Sequence, residues 1–149
     1  MTSVPDTNVL LNAVNPTAEH HDKCRAWLAD RCTAGEPIGW AWVALLGFVR
    51  ISTRKVVFST PLSVGEAMDY VSEWLGLTNS RVLHPGLVHA SEMRRLLLSS
   101  GTAGNLVTDA HLAALAIEHG AELCSCDSDF GRFPGLRWFN PATGSRTRP

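Results

Sequence analysis

Residues 105–129 read NLVTDAHLAALAIEHGAELCSCDSD, a helix-forming run followed directly by a strand-forming one. Asn105 can cap the helix, which is apolar along most of its length, reaches His119 and stops at Gly120. Glu122 to Cys126 then gives the clearest strand of the chain. Acids stand at both seams: Asp109 in the first turn of the helix, Asp127 and Asp129 just past the strand. A helix feeding a short buried strand is the repeating unit of a parallel sheet.

Working outward, the same alternation recurs. Thr2-Ser3-Val4-Pro5 is a short first strand, ending on Asp6. Val9 to Val14 reads as one or two helical turns halted at Asn15-Pro16, and Thr17 can cap a helix to about Ala34. Ile38 to Trp40 is a weak second strand, and Trp42 to about Thr53 an apolar helix. Val56 to Phe58 is short and irregular. Ser63, with Glu66 three residues on, caps a helix over 64–75. Arg81 to Leu83 is a strand, Pro85 opens a helix reaching Ser99, and Leu136 to Phe139 is the last strand. The expected fold is α/β, three layers around a short, mainly parallel sheet. Residues 140–149, rich in Pro, Gly, Thr and Arg, are expected to be a surface tail.

The 149 residues suit one domain with a substantial core, 45% hydrophobic and 18% charged. A net charge of -1 announces no nucleic-acid partner in bulk, though a local basic stripe suffices for one. Of thirteen basic residues only Lys23 and Lys55 are lysine, and the planar fork of arginine suits phosphate. No basic-then-apolar leader opens the chain, and no run approaches the roughly 20 apolar residues of a membrane span. Cys24, Cys32, Cys124 and Cys126 form neither a disulfide framework nor a zinc pattern, so a reducing cytoplasmic setting is expected.

Ligands of α/β folds bind beyond the carboxyl ends of the strands. Asp6, Asp109, Asp127 and Asp129 all fall at such seams. Carboxylates gathered in a cleft repel one another and need a cation to stay ionised together. Oxygen ligands favour a hard ion, Mg²⁺ or Mn²⁺, and so metal-assisted phosphodiester chemistry. Taken singly each acid also has a plain structural role: Asp6 as a helix cap, Asp109 facing a helix dipole, Asp127 and Asp129 in a turn. Thr7, Asn8, Asn105 and Thr108 either bond helix starts or orient the acids. Phospho-accepting receivers and aspartate phosphatases need a late lysine, and none follows Lys55. No histidine is assigned to catalysis, since His111 points away from Asp109 on a helix. Arg50, Arg54 and Lys55 gather at one helix end, either for its dipole or for an RNA backbone. Most tryptophans are core, with Trp40 or Trp42 the candidates for base stacking.

Three blocks, 6–11 (DTNVLL), 104–114 (GNLVTDAHLAA) and 127–136 (DSDFGRFPGL), resemble the PIN-domain nucleases, in particular the VapC-type toxins of bacterial toxin–antitoxin pairs. The order and spacing of the blocks match across almost the whole chain. The resemblance implies an α/β/α domain over residues 1–139 and an Mg²⁺- or Mn²⁺-dependent endoribonuclease acting on structured RNA such as tRNA or rRNA. It implies inhibition by a cognate VapB-like antitoxin, and a homodimer. By motif position Asp6, Asp109 and Asp127 are the catalytic acids and, with Asp129, the metal ligands; Asn8 and Thr108 are accessory. Arg50, Arg54 and Lys55 are candidate RNA contacts. Two departures stand out. Gly47 occupies the place where the family carries a glutamate, ahead of Phe48-Val49-Arg50. This leaves a weak or inactive RNA- or antitoxin-binding module as the alternative. Pro5 replaces an aliphatic residue and is tolerable if pairing ends at Val4.

Overall fold

The computed structural model describes residues 1–149 apart from Val57, Thr102, Ala103 and Arg148. Its strands are β1 (Ser3–Pro5), β2 (Ile38–Trp40), β3 (Ser80–Val82), β4 (Glu122–Cys124), β5 (Arg137–Phe139) and β6 (Arg146–Thr147). The helices are α1 (Thr7–Val14), α2 (His21–Thr33), α3 (Trp42–Ser52), α4 (Val64–Leu75), α5 (His89–Ser100) and α6 (Val107–Glu118). The sheet runs in the order β3-β2-β1-β4-β5-β6. All neighbours pair parallel except β6, which runs antiparallel to β5.

Successive residues of a strand face opposite sides of a sheet, and a parallel sheet is covered on both. In β4, Leu123 enters a core built with α6, Leu96, Phe130 and Phe133, whereas Cys124 enters one built with α1 to α4. Val4 joins the first core, Ile38 and Trp40 the second. That division makes the three layers. The second core is aromatic: Trp40 stacks on Trp74 with centroids 5.5 Å apart, and Phe48 meets Trp74 edge-on. Trp40 is 1% exposed and donates to Ser80 Oγ at 2.8 Å, so it does not stack on bases; Trp42 is solvent-exposed.

The chain lays down β1, β2 and β3 outward on one side, then crosses through α5 and α6 to place β4 on the other side of β1. The strand order therefore reverses between β1 and β4, and the crevice for a ligand opens at their carboxyl ends. Pro5 does pair there, opposite Cys124. Ser3 N donates toward β2 and Asp6 N toward β4, so the missing N–H of Pro5 faces β2, where pairing ends at Ser3 and Ile38. The proline is tolerated because only one side of its strand continues.

Local expectations shift at several helix starts. α4 begins as its sequence indicates, with a reciprocal capping box between Ser63 and Glu66. α5 begins at His89 rather than Pro85: Gly86 is a poor helix former, and its N–H turns to Glu118. Asn105 lies in a 3-10 turn (Gly104–Leu106), and α6 starts directly after it at Val107, without a side-chain cap. Thr17 bonds to Asn15 Oδ1 instead of capping α2. The expected irregular stretch 56–58 includes Val57, outside the described residues. Parts of the expected tail are built into the fold. Asn140 is buried, and Arg146 grips Glu122 through two hydrogen bonds and lies over the Phe139 ring, drawing the chain into an edge strand. Among the described residues no helix is long and apolar enough to cross a membrane.

Candidate metal centre and nucleic-acid cleft

Asp6 follows β1 and caps α1, its Oδ1 accepting from Thr7 N at 2.7 Å. Its Oδ2 accepts from Asn8 Nδ2 at 3.0 Å and from Ser125 Oγ at 2.7 Å. Asn8 spans to the other strand, donating to Ser125 Oγ and accepting from Cys126 N at 3.0 Å. Ser125 Oγ in turn accepts from Asp127 N at 3.1 Å, and Asp127 Oδ1 from Asp129 N at 2.9 Å. The loops after β1 and β4 are thus sewn together by side chains at the strand-order reversal. Ser125 is fully buried at the centre of this net. From sequence alone it belongs to its strand, with no part in the site. Its one signal was a polar side chain between two cysteines, two residues ahead of an acid.

α6 brings Asp109 to the same place. Asp109, Asp127 and Asp129 each offer a carboxylate oxygen within 4.8 Å of the others, an arrangement that suits a hard divalent cation. Asp6 is not one of the three acids whose oxygens converge within that distance; its own two oxygens accept from Thr7, Asn8 and Ser125. Its charge is felt nonetheless. Burial, then the charges of Asp6, Asp127 and Asp129, push the Asp109 carboxyl up to about 6. Burial also raises Asp6, against the lowering pull of the Ser125 and Thr7 hydrogen bonds. A set of acids that resists joint ionisation, and whose oxygens converge, fits a cation-binding centre. Arg132 lies 3.5 Å from Asp129 at the rim.

Beside the acids runs a groove of about 410 Å³, lined by Asp6, Thr7, Gly47, Arg50, Thr108 and Asp109 among others. Arg50 faces this groove; Arg54 and Lys55 lie exposed past the end of α3 and do not line it. Trp42 and Leu46 are exposed on α3, 43% and 61%. His111 turns away from the acids and meets His89 Nε2 at 2.8 Å, with Glu118 on the far nitrogen of His89.

The chain matches the PIN domain over residues 3–136. It belongs to the PIN-domain family. This PIN domain is similar to ribonuclease VapC37 of Mycobacterium tuberculosis, 46% identical over 138 residues covering 93% of this chain and 96% of that protein. It is similar also to ribonuclease VapC33 of the same species, at 41% over the same shares. Its fold is that of VapBC2 from Rickettsia felis, solved with a DNA fragment from their promoter, at a TM-score of 0.68 and 20% identity over 94% of this chain and 98% of that one. The sarcin-ricin loop cleaving toxin VapC20 of Mycobacterium tuberculosis superposes with a TM-score of 0.64 at 16% identity, covering 99% of each chain.

Proposed function

We propose that this PIN domain is a divalent-metal-dependent endoribonuclease and the toxin of a VapBC-type pair, working in the cytoplasm. The observation that carries the reading is the convergence of Asp109, Asp127 and Asp129 at the strand-order reversal, with Asp109 unable to ionise easily unless a cation joins it. The similarity to ribonucleases VapC37 and VapC33 supports RNA as substrate.

In this reading Asp109, Asp127 and Asp129, with Asp6 beside them, would hold Mg²⁺ or Mn²⁺. Asn8 and Ser125 keep Asp6 and the Asp127 loop in register, and Thr108 borders the groove. Arg50 meets an RNA phosphate as the backbone enters, with Arg54 and Lys55 extending the basic approach. A bound divalent ion supplies a Lewis acid for the scissile phosphate and makes a coordinated water a better nucleophile near neutral pH. Antitoxin residues cover the groove, seated on exposed Trp42 and Leu46 and reaching the acids with a cation of their own. The VapB-bound assemblies of its structural neighbours support such a partner, and a homodimer is part of the same reading.

The test is cleavage of total cellular RNA with Mg²⁺ or Mn²⁺ by the wild type, Asp6→Asn and Asp109→Asn. Cleavage by the wild type alone, abolished by EDTA, is expected. Full cleavage in excess EDTA would overturn the metal reading. Gly47 favours a second reading, a domain that holds RNA or antitoxin without cutting, since no carboxylate stands there; RNA binding without any cleavage would select it.

A further inference from the structure

Gly47 sits in the interior of α3, where glycine is a poorer helix former than alanine. It is not among the glycines with positive φ, so backbone conformation does not demand it. What demands it is Thr7. A Cβ at position 47 would come 2.5 Å from Thr7 Oγ1 and 3.1 Å from Thr7 Cγ2. Thr7 cannot swing aside freely, because a β-branched side chain has few χ1 choices and its hydroxyl donates to Ala44 O of α3 at 3.0 Å. The backbone N–H of the same residue donates to Asp6 Oδ1. Thr7 therefore ties the strand end that carries Asp6 to the helix that lacks the second acid.

We propose that Thr7 is a positioning residue for the metal centre, and that Gly47 is its obligate partner: the threonine occupies the space through which a carboxylate at position 47 would have to enter. The inference rests on the metal-dependent reading of the site given above. Instead of a further ligand, the chain has a clamp from α1 to α3 that fixes Asp6 and, through Ser125, the Asp127 loop. Restoring an acid at position 47 is then harmful unless Thr7 is first removed.

Mn²⁺ binding to the whole protein, followed by calorimetry alongside melting temperature, tests this without reliance on RNA cleavage. Thr7→Val keeps the shape and removes the donor; it is expected to weaken Mn²⁺ binding by roughly threefold to tenfold, the loss that one hydrogen bond carries. Thr7→Ser, which keeps the hydroxyl, stays near the wild type. Gly47→Glu alone weakens Mn²⁺ binding, whereas Gly47→Glu in a Thr7→Ala background strengthens it relative to Thr7→Ala. Gly47→Ala lowers the melting temperature of the wild type but hardly that of Thr7→Ala. Mn²⁺ binding that ignores Thr7→Val, or equal effects of Gly47→Ala in both backgrounds, would overturn the proposal. Wild-type protein that takes up no Mn²⁺ would instead overturn the metal reading itself.

Discussion

Ser125 donates to Asp6 Oδ2 and accepts from Asn8 Nδ2 and Asp127 N, all without exposure to solvent. Removing the hydroxyl leaves a buried carboxylate with one donor fewer and an amide without its acceptor, a loss of about 1–3 kcal/mol. Ser125→Ala is expected to lower RNA cleavage by roughly 10- to 100-fold, as loss of an orienting partner does at metal sites, and to raise the Asp6 carboxyl further. Cleavage rates and denaturant melts read both effects, and an unchanged rate would show that the net around Asp6 is idle. Asp109 gives a pH signature. Its folded value of about 6 lies above its unfolded one, so between the two the native state binds more protons, and stability without metal falls as pH rises through that window. Solvent screening at this half-exposed carboxyl holds the effect to about 1 kcal/mol. Mn²⁺ should therefore raise the melting temperature more at about pH 7.5 than at about pH 5, since binding competes with protons. Equal shifts at the two pH values would contradict the role given to Asp109.

Among the elements, α4 separates stability from activity. The capping box at Ser63 and Glu66 satisfies two helix-start donors far from the acids. Ser63→Ala should cost about 1 kcal/mol in a urea melt and leave cleavage unchanged. β6 is held by the paired contacts of Arg146 with Glu122 and with the Phe139 ring. Because Glu122 also opens β4, the edge strand supports the strand whose far end carries Ser125 and the Asp127 loop. The helix starts show where local sequence signals lose to tertiary ones. Pro85 and Asn105 are good openings in isolation, yet α5 begins at His89, whose ring is fixed between Glu118 and His111, and α6 follows a 3-10 turn. At Ser63 no such competitor exists, and the local signal prevails.

At the scale of the whole molecule, the sheet divides the interior into two cores that share strands but not faces. Ile38→Val in one and Leu96→Ala in the other should cost about 0.5–1.5 and 2–5 kcal/mol, respectively. Their sum should hold in the double variant to within about 0.5 kcal/mol. Denaturant melts of the four proteins check this; strong coupling would mean that the sheet transmits strain between faces.

The sequence by itself determined the strand–helix alternation, hence a parallel sheet with two covered faces, because apolar periodicity and turn residues are local properties of the chain. It determined also that Asp6, Asp109, Asp127 and Asp129 fall at seams, and the three blocks that carry the family. Tertiary structure alone decided which oxygens converge, those of Asp109, Asp127 and Asp129, and which donors meet Asp6. It alone promoted Ser125 from a strand residue to the hub of the hydrogen-bond net, drew Arg146 and Thr147 into an edge strand, and set Thr7 against Gly47. Each of these depends on contacts between residues far apart in the chain, 119 positions from Ser125 to Asp6 and 37 from Thr7 to Ala44. Local periodicity carries no record of such distances; they exist only once β4 has been laid beside β1 and α3 against α1.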